Sequence, residues 1–368
     1  MKQKPLDEKY MRIAVSLAKK GIGETSPNPV VGAILVKNGK IIASAYHKKA
    51  GSMHAEALAI ARAGKRARGA ILYSTLEACT HYGKTPPCVD AIVKSGIKRA
   101  VFAMRDPNPV NYGRGIAALK RAGIKIKSGV LKKEALELNR PFAKFIKRRF
   151  PYVTIKMAQS VDGKIADAKG RSRWITSVAS RGLVHKLRAQ NDAVMIGVNT
   201  LLKDNPLLTS RIHNRNGKQP IRVILDTELR TALRSRLLEK GKGNGAEVLI
   251  AGGKGASPKK KILLEKKGAK VILLPRAENR VSLICLMKYL AKRGVMSVLS
   301  EGGSELTAAL LKTGLADEAF FFISPRIIGG KTAPTSCGGT YSDIRKSIWL
   351  KDVRMERVGQ DILIKGRI

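Results

Sequence analysis

His54-Ala55-Glu56 comes first, Thr75-Leu76-Glu77-Ala78-Cys79 next, and Pro86-Pro87-Cys88 last. One imidazole and two thiolates are the donors of a zinc site, and three protein ligands leave the fourth position open, as catalytic zinc requires. Glu56 stands two residues after the histidine and is surplus to the ligand set, so its carboxylate is free to move protons. Each fragment is weak by itself, and the bland reading is two buried cysteines with a satisfied core histidine. Together they are stronger. The 368 residues hold only 5 His and 4 Cys, and three of those nine fall in this order.

The flanking sequence supplies the frame. Residues 6–20 carry apolar positions at helical spacing, and Ser26-Pro27-Asn28-Pro29 closes that segment with turn residues. Two short strands, Val30–Val36 and Ile41–Ala45, are joined by Asn38-Gly39, a hairpin signal. His54 opens a helix over Ala55–Ala63, the strand Ala70–Ser74 delivers Glu77 and Cys79, and Cys88 lies in the first turn of a helix over Pro87–Ser95. A strand over Arg99–Ala103, a helix over Gly115–Ala122, a strand over Lys125–Ser128 and a connecting helix over 134–147 follow. Such strand–helix alternation is an α/β sandwich.

Arg148-Arg149-Phe150-Pro151 reads as a linker, giving domains over 1–148 and 149–368. The second half repeats the alternation. Strands read at Val153–Lys156, Ala193–Gly197, Ile221–Asp226, Val248–Ala251, Val271–Leu274 and Ser297–Ser300, with Ala319–Ser324 and Asp361–Arg367 at the end. Helices read at 178–189, 258–267, 282–293 and 304–313. No GxGxxG follows a strand. Instead a loop over Asn199–Pro206 and the turn Glu301-Gly302-Gly303-Ser304 lie beyond strand ends, where open α/β sheets bind ligands. A Gly-Gly turn opening a helix lets an anion reach backbone N–H groups.

Composition narrows the class. Hydrophobic content of 44% suits packed domains, and no apolar run is long enough to span a bilayer. The first residues, Met1-Lys2-Gln3-Lys4-Pro5, lead into Leu6-Asp7-Glu8-Lys9 rather than an apolar stretch, which argues against a signal peptide. Four cysteines in so long a chain fit a reducing cytoplasm. The net charge of +44 raises the question of nucleic acid. Residues 1–150 hold 31 basic and 9 acidic side chains and the rest 40 and 18, so each half carries +22. That even spread, with only 5% aromatic residues, reads as a solvated surface that draws in phosphorylated substrates.

These residues resemble the bifunctional pyrimidine deaminase–reductase family of riboflavin biosynthesis. The first half carries Ser26 to Gly32, His54-Ala55-Glu56 and Thr75 to Cys88. The second carries Ser160 to Ala166, Trp174-Ile175-Thr176, Leu187-Arg188-Ala189, Asp204-Asn205-Pro206 with Leu208-Thr209, and Glu301-Gly302-Gly303. The resemblance implies a cytidine-deaminase-like α/β/α sandwich followed by a dihydrofolate-reductase-like α/β domain. It implies zinc on His54, Cys79 and Cys88, Glu56 as proton carrier, and NADPH in the second domain. On the deaminase side it carries Asn28, His47, His81, Lys84, Asp106 and Asn108 to the substrate. On the reductase side it carries Ser172, Arg188 and Arg211 to the substrate, Thr176, Thr200, Asp204, Gly302 and Gly303 to the cofactor, and Glu301 to both. Trp174, next to the substrate group, is counted with the cofactor. The expected partner is a small phosphorylated pyrimidine, with no membrane and no specific nucleic acid, and the chain is expected to form a homo-oligomer, dimer or tetramer, in the cytoplasm. Ala78 stands where the family usually has Pro, Thr80 for Ser, Val161 for Leu and Asn205 for a second Asp. Ala78 is expected to loosen the zinc loop without removing a ligand. The rival readings are a nucleic-acid-directed zinc deaminase with an accessory domain, a basic RNA-binding protein with structural zinc, and a relative that keeps only the reductase. The Cys-x8-Cys spacing separates the first rival, since nucleic-acid deaminases use Cys-x2-Cys.

Overall fold

The computed structural model describes residues 3–83, 85–212, 218–239, 245–339 and 343–368. The chain divides into two compact units, Met1–Arg149 and Phe150–Ile368.

In the first unit, helix α1 (Gln3–Ala18) precedes the hairpin β1 (Gly32–Lys37) and β2 (Lys40–Tyr46). Asn38 and Gly39 turn it with φ of +50° and +72°, the left-handed pair that such a tight turn needs. Next come α2 (Ala55–Ala63), β3 (Ile71–Ser74), α3 (Cys88–Lys94), β4 (Arg99–Phe102), α4 (Arg114–Arg121), β5 (Lys125–Ser128), α5 (Lys132–Leu138) and α6 (Arg140–Arg148). The strands form one sheet in the order β2-β1-β3-β4-β5. β1 is antiparallel to both neighbours, and β3, β4 and β5 run parallel. Met11, Ile34, Leu72, Tyr73 and Phe102 fill the core. Within it Asp7 of α1 is fully buried and accepts from Tyr73 (2.9 Å), Arg99 (2.8 Å) and Lys127 (2.7 Å), one donor from each of β3, β4 and β5. A buried carboxylate needs such partners, and these pin α1 across three strands.

The second unit runs β6 (Tyr152–Ser160), α7 (Val178–Gln190), β7 (Ala193–Gly197), α8 (Val198–Asp204), β8 (Ile221–Leu225), β9 (Val248–Gly253), α9 (Pro258–Lys266) and β10 (Ala269–Leu274). A two-stranded ribbon follows, β11 (Arg276–Ala277) with β12 (Arg280–Val281). Then come α10 (Leu283–Lys292), β13 (Ser297–Ser300), α11 (Ser304–Lys312), β14 (Glu318–Ser324), β15 (Lys351–Val358) and β16 (Asp361–Arg367). Nine strands make one sheet, β10-β9-β8-β7-β13-β6-β14-β16-β15, parallel through β14 and antiparallel at its last two strands. Alternate residues serve opposite faces. Met195 and Leu249 pack with Leu286 of α10 and Leu310 of α11, while Ile196 and Ile250 pack with Leu187 of α7 and Leu264 of α9. Coverage on both faces accounts for strands that read as unbroken apolar runs.

Three expectations change. The helix over 134–147 is broken at Asn139, whose side chain accepts from Val30 N (2.8 Å) and donates to Val30 O (3.0 Å). The loop over Asn199–Pro206 is helix α8 as far as Asp204, because Val198 and Leu201 bury their side chains, and Asn205 ends it in the left-handed conformation. The exposed edge strand β15 had no apolar alternation to announce it.

Candidate active sites

Two helices and one loop meet in the first unit. His54 is the N-cap of α2, Cys88 opens the neighbouring α3, and Cys79 lies in the loop after β3. The three ligand atoms lie within 4.8 Å of one another. His54 Nδ1 is 3.2 Å from Cys88 Sγ and 3.5 Å from Cys79 Sγ. Tetrahedral zinc with bonds of about 2.0 Å to nitrogen and 2.3 Å to sulfur sets these atoms roughly 3.5 Å apart, so the donor set fits that ion in both kind and spacing. Hydrogen bonding with Cys88 and then with His54 holds the Cys79 thiol down to about 4, His54 is raised chiefly by its bond to Cys79, and Cys88 is pushed up by its bond with Cys79 and by burial. Loading a metal therefore displaces protons.

Glu56, buried in the first turn of α2, places Oε2 3.8 Å from Cys88 Sγ and Oε1 2.9 Å from Ser74 Oγ. Burial raises its carboxyl above the usual range, which suits a group that takes up and releases a proton. His47, next to His54, holds Asn28: Asn28 Nδ2 lies 3.1 Å from His47 Nε2, and His47 Nδ1 lies 3.3 Å from Met53 O. The ring of His47 meets that of His54 edge-on at 5.3 Å, and burial lowers its pKa, keeping it neutral. Asp106 is buried and accepts from Asn108 N (2.9 Å) and Asn111 Nδ2 (3.1 Å); burial raises its pKa. Asn108 caps its own turn through Val110 N. His81 is exposed on the loop after Cys79, close enough for its charge to act on Asp106. Lys84 lies outside the described residues.

In the second unit a cavity of about 1670 Å³ opens along the carboxyl ends of the parallel strands. It exceeds the ~300–1,000 Å³ usual for one small ligand, which leaves room for a dinucleotide and a substrate together. Ser172, Trp174, Thr176, Arg188 and Arg211 line it, as do Thr200, Asp204, Glu301, Gly302 and Gly303. Ser172 Oγ donates to Asp204 Oδ1 at 2.9 Å. Trp174 is 60% exposed at the cavity wall, with the Arg181 guanidinium over its ring at 4.5 Å and that of Arg173 at 5.8 Å. Gly303 is the N-cap of α11, and the space where its side chain would sit is open up to Thr200 Oγ1 at 3.7 Å. The free N–H groups of that helix start suit an anionic group such as a pyrophosphate. Arg188 lines the cavity with its guanidinium engaged: Nε and Nη2 bond Glu301 (2.6 and 2.9 Å) and Nη1 donates to Thr209 O (3.2 Å).

Comparison with known proteins settles the family. Residues 151–364 match the family described as the RibD C-terminal domain, and residues 4–104 match the cytidine and deoxycytidylate deaminase zinc-binding region. The riboflavin biosynthesis protein RibD of Aquifex aeolicus is 43% identical over 98% of both chains. This chain belongs to the RibD family. Its counterpart from Bacillus amyloliquefaciens is 42% identical over 97% of this chain and 95% of its own. Among solved structures, RibD of Acinetobacter baumannii superposes with a TM-score of 0.88 at 35% identity over 99% of each chain. The Thermotoga maritima protein titled a diaminohydroxyphosphoribosylaminopyrimidine deaminase/5-amino-6-(5-phosphoribosylamino)uracil reductase gives 0.87 at 37% identity, again over 99% of each.

As in the RibD family, a zinc-binding deaminase half precedes an NADPH-using reductase half, and the expected fold classes hold for both. Sequence reading passed over two side chains at these sites. Lys156 of β6 lines the RibD reductase cavity; burial lowers its pKa, and Glu301 acts against that. Its only signal was a lysine ending an otherwise apolar strand. Ser74, which holds Glu56, carried none.

Proposed function

We propose that this chain catalyses two steps of riboflavin biosynthesis. Residues 1–148 would deaminate 2,5-diamino-6-ribosylamino-4(3H)-pyrimidinone 5′-phosphate, and residues 149–368 would reduce the ribosyl group of 5-amino-6-(5-phosphoribosylamino)uracil to ribityl. The observation that carries the first assignment is the His54–Cys79–Cys88 cluster with the buried carboxyl of Glu56 at its edge, 3.8 Å from Cys88 Sγ.

Zinc held by His54, Cys79 and Cys88 would supply a Lewis acid. Glu56 takes a proton from the attacking water and hands it to the amine that leaves as ammonia. Ser74 keeps the carboxylate aimed. Asn28 and the neutral His47 form one polar wall for the pyrimidine, and Asp106 and Asn108 form another. His81, with Lys84 beside it in sequence, faces the anionic end of the substrate.

In the second domain the residues Thr176, Thr200, Asp204 and the Gly302-Gly303 turn would hold NADPH, which would supply a hydride for C1′. Opening the sugar needs a proton at the ring oxygen, and Lys156 is a half-buried amine lining that cavity that could deliver one. Glu301, fixed by Arg188, acts against the lowering that burial imposes on Lys156. Ser172, Arg188 and Arg211 frame the substrate. Trp174, Thr176, Thr200, Asp204 and the Gly302-Gly303 turn frame the cofactor. No described helix is long and apolar enough to cross a membrane, and the reading extends to a cytoplasmic homo-oligomer, dimer or tetramer. Analytical ultracentrifugation reports the assembly.

The test is a coupled assay on the phosphorylated pyrimidine with zinc measured in the same sample. Ammonia release without NADPH, followed by NADPH consumption, is the expected sequence. Release only from tRNA or single-stranded DNA would overturn the deaminase assignment.

A further inference from the structure

We infer that Asn111 is a positioning residue of the deaminase site: its side-chain amide holds the peptide groups on either side of the zinc ligand Cys79 and ties them to Asp106. The inference rests on the deaminase reading above.

The three ligands are not equally supported. His54 and Cys88 sit at helix starts, whereas Cys79 lies in a loop without regular structure, next to an alanine that has no ring to fix its backbone. Where, then, do the polar groups of that loop go? The Cys79 carbonyl accepts from Val89 N at 3.2 Å. The flanking groups go to Asn111. Its Oδ1 accepts from Thr80 N (3.0 Å) and Thr80 Oγ1 (2.9 Å), and its Nδ2 donates to Ala78 O (3.2 Å) and Asp106 Oδ2 (3.1 Å). A carboxamide has two donors and two acceptor lone pairs, and here all four are used. The side chain is fully buried, so no water competes for them.

The surrounding backbone is shaped to the same end. Asn111 N donates to Asn108 O and Asn111 O accepts from Arg114 N, both at 2.9 Å, so the residue is fixed in its own turn. The Glu77 carboxylate accepts from Asp106 N (3.1 Å), Gly113 N (3.0 Å) and Ile116 N (3.0 Å), drawing residues 106–116 against the loop. At Gly115 a Cβ would stand 2.1 Å from Ala78 O, so only glycine lets α4 close on that peptide. Every side-chain bond of Asn111 ends within one residue of the metal ligand or on the carboxylate proposed to touch substrate. The expectation that Ala78 loosens the loop therefore gives way: its carbonyl is gripped from outside. Asn111 sets the position of Cys79 and the orientation of Asp106 with one amide.

The test compares full-length wild type with Asn111→Ala and Asn111→Asp. Zinc affinity is read by competition with a chromophoric chelator, KM and kcat by ammonia release from the phosphorylated pyrimidine, and integrity of the protein by NADPH-dependent reduction in the same sample. Partners that orient a metal ligand typically govern 10–100-fold in affinity, so Asn111→Ala is expected to weaken zinc binding by about that factor. At saturating zinc its kcat should recover while KM stays raised, since Asp106 remains unheld; reduction should be unchanged. Asn111→Asp keeps the shape but turns the donor face into an acceptor against Ala78 O and Asp106, and should raise KM at least as far. If Asn111→Ala does not fold, Asn111→Asp decides by the same readings. Zinc affinity and KM within twofold of wild type in the folded variants would overturn the inference. Wild-type protein that releases no ammonia would instead overturn the deaminase reading beneath it.

Discussion

Arg188 and Glu301 meet fork to fork, Nε on Oε1 at 2.6 Å and Nη2 on Oε2 at 2.9 Å, with both side chains at least 85% buried. Removing one partner of such a pair leaves a buried charge without compensation, at a cost of about 3–5 kcal/mol. Arg188→Ala should destabilise the second unit by that amount in urea unfolding and abolish NADPH oxidation, while ammonia release continues.

The same pair predicts a pH dependence. Burial would raise the Glu301 carboxyl, but the charge and hydrogen bonds of Arg188, helped by Lys156, outweigh it and hold the pKa below the ordinary 4.5. A depressed carboxylate stabilises the fold above its unfolded pKa, and that contribution is lost as pH falls through the folded value. The Tm advantage of wild type over Glu301→Gln should be full at pH 6–7, roughly 1.5 units or more above the ordinary carboxylate value. It should shrink steadily below 4.5. A gap that does not move with pH would show that Glu301 is not ionised in the fold.

Glu56→Gln retains the shape at the metal edge but cannot carry a proton. Zinc content should stay at one per chain, deamination should fall by about 10²–10⁴, and reduction of the deaminated nucleotide should not change. Loss of zinc together with activity would mean that Glu56 supports the metal rather than the chemistry.

Chelation should separate the two steps. Dialysis against a strong zinc chelator is expected to end ammonia release and to leave NADPH-dependent reduction intact, and added zinc should restore the first. Proton uptake should accompany metal removal, because Cys88 and His54 both favour their protonated forms.

The charge of +44 concentrates anions around the molecule. For both phosphorylated substrates kcat/KM should drop about tenfold between dilute buffer and ~0.5 M salt, where screening acts within a few ångströms. A flat salt profile would remove any part for the surface charge in substrate capture.

The zinc triad and Glu56 were legible in the sequence because rare residue types fell at fixed offsets from helix and strand signals. The hairpin at Asn38-Gly39 and the strands β5 and β16 were legible for the same local reason. What escaped depended on distant partners. Asn139 reads as one more helical position until Val30, 109 residues away, claims its amide. Helix α8 hides in a polar stretch because only Val198 and Leu201 anchor it. Lys156 is one of 71 basic residues, and nothing but the fold turns it into a cavity. Asn111 gave no sign at all, since its four partners come from 78, 80 and 106.

The hydrophobic interior of residues 10–135 shares no side chain with the two apolar layers that begin at Val153. Among the described residues, injury to one interior removes no side chain from the other. A single exchange at Cys79 is expected to erase one step and a single exchange at Glu301 the other, with the surviving half left as it is. A lineage can shed these chemistries one at a time, and gene fission between them would sacrifice no packing inside either part.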